Sequence, residues 1–264
     1  MRNIINLFFK LIYQYSFKIR FFIAKKVIFF IFKIKKNSLF FKNLSILINN
    51  FYKDGFVKID SYYSDREIEY LNNISNQVLN DTKNANNQLD IEKVDGSIKI
   101  KHLTKTYKEF KRFTNDSIMQ VFSIIFNFKH ISPDVILNIS HDGNFYENLI
   151  PGVCTKNIAD TPHIDAKDGF KRYLKGFIIL ENLSQENGAT KIIPKSSENK
   201  KIINLLSLKE KSDQLKNEIK KIKNISKDVS LTGKKGDLVL FDSRNIHWAG
   251  NLNRGMRKLL WVYF

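Results

Sequence analysis

After Pro133 the chain becomes a succession of short apolar runs cut by turns, and few folds accept that pattern. "DVILNIS" reads as a strand and "HDGN" as a turn. "RYLKGFIILEN" is a second strand, "SQENGAT" a turn, and "KIIP" a third strand. "KKGDLVLFDS" gives a turn and a strand, and "RKLLWVYF" closes the chain as another. Upstream the character is helical. "FVKI" is a short strand, and Ser64 then caps a helix that begins near Asp65, with Glu67 completing a capping box. Ile68, Leu71, Ile74 and Val78 form its apolar stripe. Residues 104–128 read as one helix with Phe110, Phe113, Ile118, Val121, Phe122 and Ile125 inward, and 196–230 as charged and mostly helical. Asn80–Asn87 reads as a loop, and "NANNQLDIEKVDGSIKI", in the segment expected to help build the substrate pocket, shows no chemistry that names a substrate. Helices first and many short strands later predict an α+β domain on a β-sandwich or barrel.

His163 and Asp165 lie two apart in "TPHIDAKDG", so on an extended segment both face the same side. His247 follows the strand "DLVLF" and can supply a third ligand from a neighbouring strand. Two imidazoles and one carboxylate form a facial ligand set that leaves positions open, as catalytic metal sites do. Alone, His-x-Asp is weak: with five His in the chain, chance produces it in roughly one such sequence in four. By itself, a His near a strand end is more commonly a hydrogen-bonded structural residue. His141 reads as a turn residue, because Asp142 beside it would face the other way on a strand. His102 and His130 show no recognisable partners, and Asp237 and Asp242 read as turn formers.

The order of the pieces adds weight. "PHID", "ENGAT-IIP", "KKGDLVLFDS-NIH" and "N-x-R-x-x-R-K" follow one another at sensible spacings. Together with "YKDGFVKIDSYYSDREIEYL", they resemble the phytanoyl-CoA dioxygenase-like family of Fe(II)/2-oxoglutarate oxygenases over residues 49–264. The resemblance implies a double-stranded β-helix, a jelly roll with helices packed outside. It implies that His163, Asp165 and His247 hold iron and that Arg257 grips the distal carboxylate of 2-oxoglutarate, with O2 as the other cosubstrate. A guanidinium meets a carboxylate in two parallel bonds, which Lys258 cannot do. Arg254 competes with Arg257; Arg257 is preferred because it opens the last strand. Tyr146 is the candidate cosubstrate contact upstream of His163. Arg244 and Trp248 flank the last ligand and are candidates either for the substrate pocket or for a packing role. Halogenating relatives carry a small residue where Asp165 stands, so hydroxylation or another C–H oxidation is implied. Two positions depart from the family: Pro194-Lys195-Ser196-Ser197 replaces a "PGSH"-like turn, and Ala249 stands where a Ser is frequent.

The charge bears on partners. The formal net charge is +18, which usually points to nucleic acid or an anionic membrane, although abundant Lys, Asn, Ile and Phe also suit an AT-rich coding bias. Residues 1–42 carry ten Lys and Arg and no acid, and form a segment separate from a 43–264 domain. Lys18, Lys25, Lys26, Lys33 and Lys36 fall on one side of a helix, with Phe21, Phe22, Ile28, Phe29 and Phe32 covering much of the rest. Arg20 and Lys35 fall outside the stripe. The run Val27–Phe32 is far short of a membrane span of roughly 20 residues. A basic amphipathic helix lying on an anionic membrane surface is expected, against a helix docked on the domain or a mis-assigned start. With one cysteine, Cys154, no intrachain disulfide can form, which fits a cytoplasmic protein, peripheral on the inner face of the membrane. The body lacks a basic stripe with interleaved aromatics, so a small-molecule substrate is expected and a nucleic acid is not. The competing reading is an inactive jelly-roll binding module at a membrane; against it, no ligand of the set is lost.

Overall fold

The structure is a computed structural model that describes residues 39–82, 89–94, 97–111, 118–119, 121–123, 134–141, 161–165, 174–207 and 213–263. Residues 1–38, Tyr146 and Cys154 lie outside the described residues. Helix α1 (Leu39–Asp54) leads into β1 (Phe56–Ile59) through Gly55, whose φ of +79° is left-handed. Helix α2 (Asp65–Asp81) starts as its sequence requires. Ser64 accepts the Glu67 N–H, and Glu67 accepts from the Ser64 N–H, closing the capping box. Its stripe Ile68, Leu71, Ile74 and Val78 is buried.

The hairpin β2 (Asp90–Val94) and β3 (Ser97–Lys101) follows, then the short helix α3 (Leu103–Thr106) and β4 (Asp134–His141). The expected single helix over 104–128 is broken: Tyr107 is extended at φ −116°, ψ 102°. Its ring is buried and its hydroxyl donates to Asp81 at 2.5 Å, which fixes the break. His102, in the left-handed region at φ 57°, sits 2.8 Å from Asp134 and 3.6 Å from Asp90, so it has partners that its sequence context does not reveal. The remaining elements are β5 (Leu174–Ile179), β6 (Thr190–Ile192), α4 (Lys200–Ser207), α5 (Asp213–Ile225), β7 (Val229–Ser230), β8 (Leu238–Asp242), β9 (His247–Ala249) and β10 (Met256–Tyr263).

A seven-stranded sheet runs β1-β8-β5-β10-β4-β3-β2 and a three-stranded one β7-β6-β9, with every pairing antiparallel. The alternation of β10 sorts the two faces. Leu260 and Val262 pack with Leu137, Ile178, Leu238 and the α1 and α2 side chains. Leu259 turns the other way, onto Phe177, Ile179, Val239, Phe241 and Ile192, with Trp261 against them, filling the space between the sheets. A third cluster joins Trp248 and Ile246 to α4 and α5. The fold is the expected α+β jelly roll with helices outside, and the metal-ligand candidates lie where the two sheets open.

Candidate metal centre

His163 and His247 form an antiparallel bridge, so the 163–165 segment extends the small sheet. The Asp165 N–H donates to the Ser243 carbonyl at 3.0 Å, which fixes the register. The turn leading to His247 is tied down by Asn245. Its amide donates to the Asp242 carbonyl at 3.1 Å and its Oδ1 accepts from the Ser197 N–H at 3.0 Å. The Ser196 hydroxyl accepts from the Ile246 N–H at 2.7 Å and donates to the Ile193 carbonyl at 2.7 Å. The serines that replace the "PGSH"-like turn thus lock this loop.

The three side chains converge. One ligand atom from each of His163, Asp165 and His247 lies within 4.8 Å of the others. Nε2 of His247 is 3.2 Å from one Asp165 oxygen, and Nε2 of His163 is 4.0 Å from the other. Both Nδ1 atoms lie 2.9 Å from backbone carbonyls, of Thr161 and of Asn245. A carbonyl only accepts, so each Nδ1 carries a proton and each Nε2 is the ring nitrogen turned to the cluster, the one that a metal would take. A backbone carbonyl fixing the ligand tautomer is the usual support of a metal-binding imidazole. The donor set therefore fits a divalent metal with open positions.

Lys175 is the residue that sequence reasoning missed. It lies on β5 beside Tyr263, its ammonium contacts the Asp165 carboxylate, and it sits 4.3 Å from the Tyr263 ring centroid. Burial raises the Asp165 carboxyl, but the hydrogen bond with His247 and the Lys175 charge outweigh it and hold it well below the usual carboxylate range. Burial lowers the Lys175 ammonium against the pull of Asp165. The wall beside them is aromatic: Phe241 lies 5.2 Å from His247 and 5.9 Å from Trp261, and Phe177 4.9 Å from Trp261.

Arg257 is 4% exposed on the same face of β10 as Leu259 and Trp261. Nη1 donates to the Gly188 carbonyl at 2.7 Å, and Nη2 to Asn138 and Ser140 at 3.3 Å each. Its Nε is buried without a hydrogen-bond partner among the described residues. Burial alone pulls its pKa down to about 10, and no acid pairs with it among the described residues. A buried cation held only by neutral groups costs several kcal/mol unless an anion joins it, as a carboxylate ligand would.

The family model described as phytanoyl-CoA dioxygenase (PhyH) matches residues 51–259. The chain belongs to the phytanoyl-CoA dioxygenase family of Fe(II)- and 2-oxoglutarate-dependent oxygenases. Solved structures share its fold at low identity. The epimerase SnoN in complex with Fe3+, alpha ketoglutarate and nogalamycin RO superposes at TM-score 0.63 and 12% identity, covering 84% of this chain and 83% of that one. EctD from S. alaskensis with 2-oxoglutarate and 5-hydroxyectoine gives 0.57 at 17%, covering 81% and 72%. HygX from Streptomyces hygroscopicus with nickel, 2-oxoglutarate and hygromycin B bound gives 0.52 at 15%, covering 83% and 85%. No curated protein sequence matches the chain.

Within this phytanoyl-CoA dioxygenase-family fold the other candidates separate. Arg254 is exposed in the turn before β10, while Arg257 is enclosed. Arg244 borders a small cavity beside Gly55 and Ser197, where its Nε and Nη2 engage the Asp242 carboxylate at 3.0 and 2.6 Å. Trp248 faces away from the metal ligands, because neighbours on a strand alternate. It is 3% exposed among Ile193, Ile202, Ile219 and Ile222, under the Lys223 ammonium. Asp237 sets a turn as expected, accepting from the Ser61 and Lys234 N–H groups.

Proposed function

We propose that this family member oxidises a C–H bond of a small organic substrate, most simply by hydroxylation, with 2-oxoglutarate converted to succinate and CO2. The convergence of His163, Asp165 and His247, both imidazoles locked in the Nε2-presenting tautomer, carries the reading. Iron and 2-oxoglutarate, when bound, supply the O2-dependent oxidation. The chain's residues do the rest. His163, Asp165 and His247 hold the metal from one side. Arg257 takes the distal carboxylate of the cosubstrate and so orients it. Phe177, Phe241 and Trp261 line the wall and exclude water. The carboxylate of Asp165 occupies the place that is small in halogenating relatives, which favours oxygen transfer.

SnoN and SnoK are described as an epimerase and a carbocyclase, so the fold hosts several oxidative outcomes. The product decides among them. Turnover of 2-oxoglutarate over pools of small metabolites, lipid precursors and sugars, read as succinate, finds the substrate. A product one oxygen atom heavier than that substrate marks hydroxylation. A product of unchanged composition, or one lacking two hydrogens, marks the other outcomes. We further propose, from the basic amphipathic sequence of residues 1–42, a peripheral position on an anionic inner membrane surface. No helix among the described residues is long and apolar enough to cross a membrane.

A further inference from the structure

Tyr263, at the end of β10, carries a hydroxyl that nothing in the site already described employs. Side chains alternate along a strand, so Tyr263 shares the inner face of β10 with Arg257, Leu259 and Trp261. Asp134 on β4 and Lys175 on β5 stand directly across from it, and residues opposite one another share a face of the sheet. Both neighbours are committed. Asp134 lies 2.8 Å from His102, and the Lys175 ammonium contacts Asp165 while sitting 4.3 Å from the Tyr263 ring centroid. The Tyr263 hydroxyl has no hydrogen bond among the described residues. Burial raises its pKa, and the charges of Asp165 and Glu92 raise it further, so the phenol keeps its proton and can donate it. A tyrosine withdrawn from water ordinarily finds a partner for its O–H, and leaving that group unpaired is costly.

The cosubstrate does not reach far enough to be that partner. Tyr263 lies at the opposite end of β10 from Arg257, about 20 Å along the strand. The Arg257 guanidinium is held at its own end by Gly188, Asn138 and Ser140, and the Tyr263 ring is held at the other by Lys175. The five-carbon chain of 2-oxoglutarate spans about 5 Å. The hydroxyl therefore lies beyond it, on the side left to the substrate. The charges around the hydroxyl are already matched, Lys175 with Asp165 and Lys101 with Glu92, so an uncharged partner suits it.

We infer that the substrate bears a neutral oxygen, a hydroxyl or a carbonyl, and that the Tyr263 O–H binds it beside the metal. This rests on the metal and 2-oxoglutarate reading above. The test uses full-length protein loaded with Mn(II) and saturating 2-oxoglutarate, to which cyclohexanol or cyclohexanone is added. Paramagnetic relaxation of the probe's ring protons reports a molecule beside the metal. The expected result is a saturable enhancement with at least one of the two probes. Tyr263→Phe, which keeps the ring beside Lys175, shifts its midpoint upward by about fivefold or more, the scale of one lost hydrogen bond. The affinity for 2-oxoglutarate changes less than about twofold. No saturable enhancement, or one equally strong in folded Tyr263→Phe, overturns the inference. So does acetate binding more tightly than either neutral probe, which makes the partner an anion. A Tyr263→Phe protein that loses 2-oxoglutarate affinity instead assigns the hydroxyl to the cosubstrate and also overturns it. Wild-type protein that fails to bind 2-oxoglutarate with metal overturns the function proposed above, and this inference with it.

Discussion

His163 and His247 exchange both backbone hydrogen bonds, N–H to carbonyl, at 3.0 and 2.9 Å. Backbone pairing thus builds the metal-ligand cluster into the small sheet, and removing a ring need not unfold it. His163→Ala and His247→Ala are each predicted to weaken Mn(II) binding at least about 100-fold, beyond what loss of an outer-shell partner does. Titration calorimetry measures this, and the metal-free His163→Ala variant should melt close to wild type.

Arg257 and Arg254 separate by burial, and mutation should separate them by function. Arg257→Met should raise the KM for 2-oxoglutarate by about two orders of magnitude, the scale of a lost charge-assisted pair of about 3 kcal/mol. Arg257→Lys should not recover it, because an ammonium cannot reproduce the two-pronged contact. Arg254→Met should change KM by less than about threefold.

Asp165 and Lys175 make a pH-dependent pair in the metal-free protein. The carboxyl is held well below its ordinary value of 3.8 when folded. Its contribution to stability is therefore complete above the unfolded value and is lost as pH falls from there through the folded one. Asp165→Asn should flatten that part of the acid-unfolding curve. It should also cost about 3–5 kcal/mol at neutral pH, because Lys175 keeps a buried charge without its partner. Denaturant melts at pH 2–7 check both.

Gly55 couples α1 to the metal loop. At φ +79° a side chain is disfavoured, and a Cβ there would lie 2.4 Å from the Asn245 amide nitrogen. Gly55→Ala should cost at least about 1–2 kcal/mol and displace Asn245, whose amide braces the turn to His247. Weaker Mn(II) binding alongside a lowered melting temperature is expected; stability lost with metal affinity unchanged would deny the coupling.

Residues 1–38 can be removed before α1 begins at Leu39. The full chain is predicted to sediment with vesicles containing anionic lipid in a salt-sensitive manner, and the truncated chain to stay in the supernatant.

Much of this was legible in the sequence because local rules and tertiary packing agree. The Ser64 capping box, the α2 stripe and the strands around Phe177, Leu240 and Leu260 sit where their periodicity places them. The spacing of His163 and Asp165 and the position of His247 brought together three residues that the fold does place side by side. The failures have physical causes. The β2–β3 hairpin follows a polar stretch, and its one clean alternation, Ile98-Lys99-Ile100-Lys101, spans only four residues, too short to stand out, although Ile98 and Ile100 are fully buried. Lys175 faces inward, where a lysine on a strand is ordinarily read as solvent-exposed. Tyr107 breaks a helical pattern for a contact with Asp81 that no local signal announces. Trp248 packs among Ile193, Ile202, Ile219 and Ile222, the second of the two roles its place beside His247 left open, since side chains alternate along a strand.

The central claim is that His163, Asp165 and His247 form an iron site that 2-oxoglutarate completes. Mixing the protein anaerobically with Fe(II) and 2-oxoglutarate and recording the visible spectrum tests it most directly. The account predicts a metal-to-ligand charge-transfer band in wild type that is absent from folded His163→Ala. No band in folded wild-type protein, or the same band in both proteins, would contradict it.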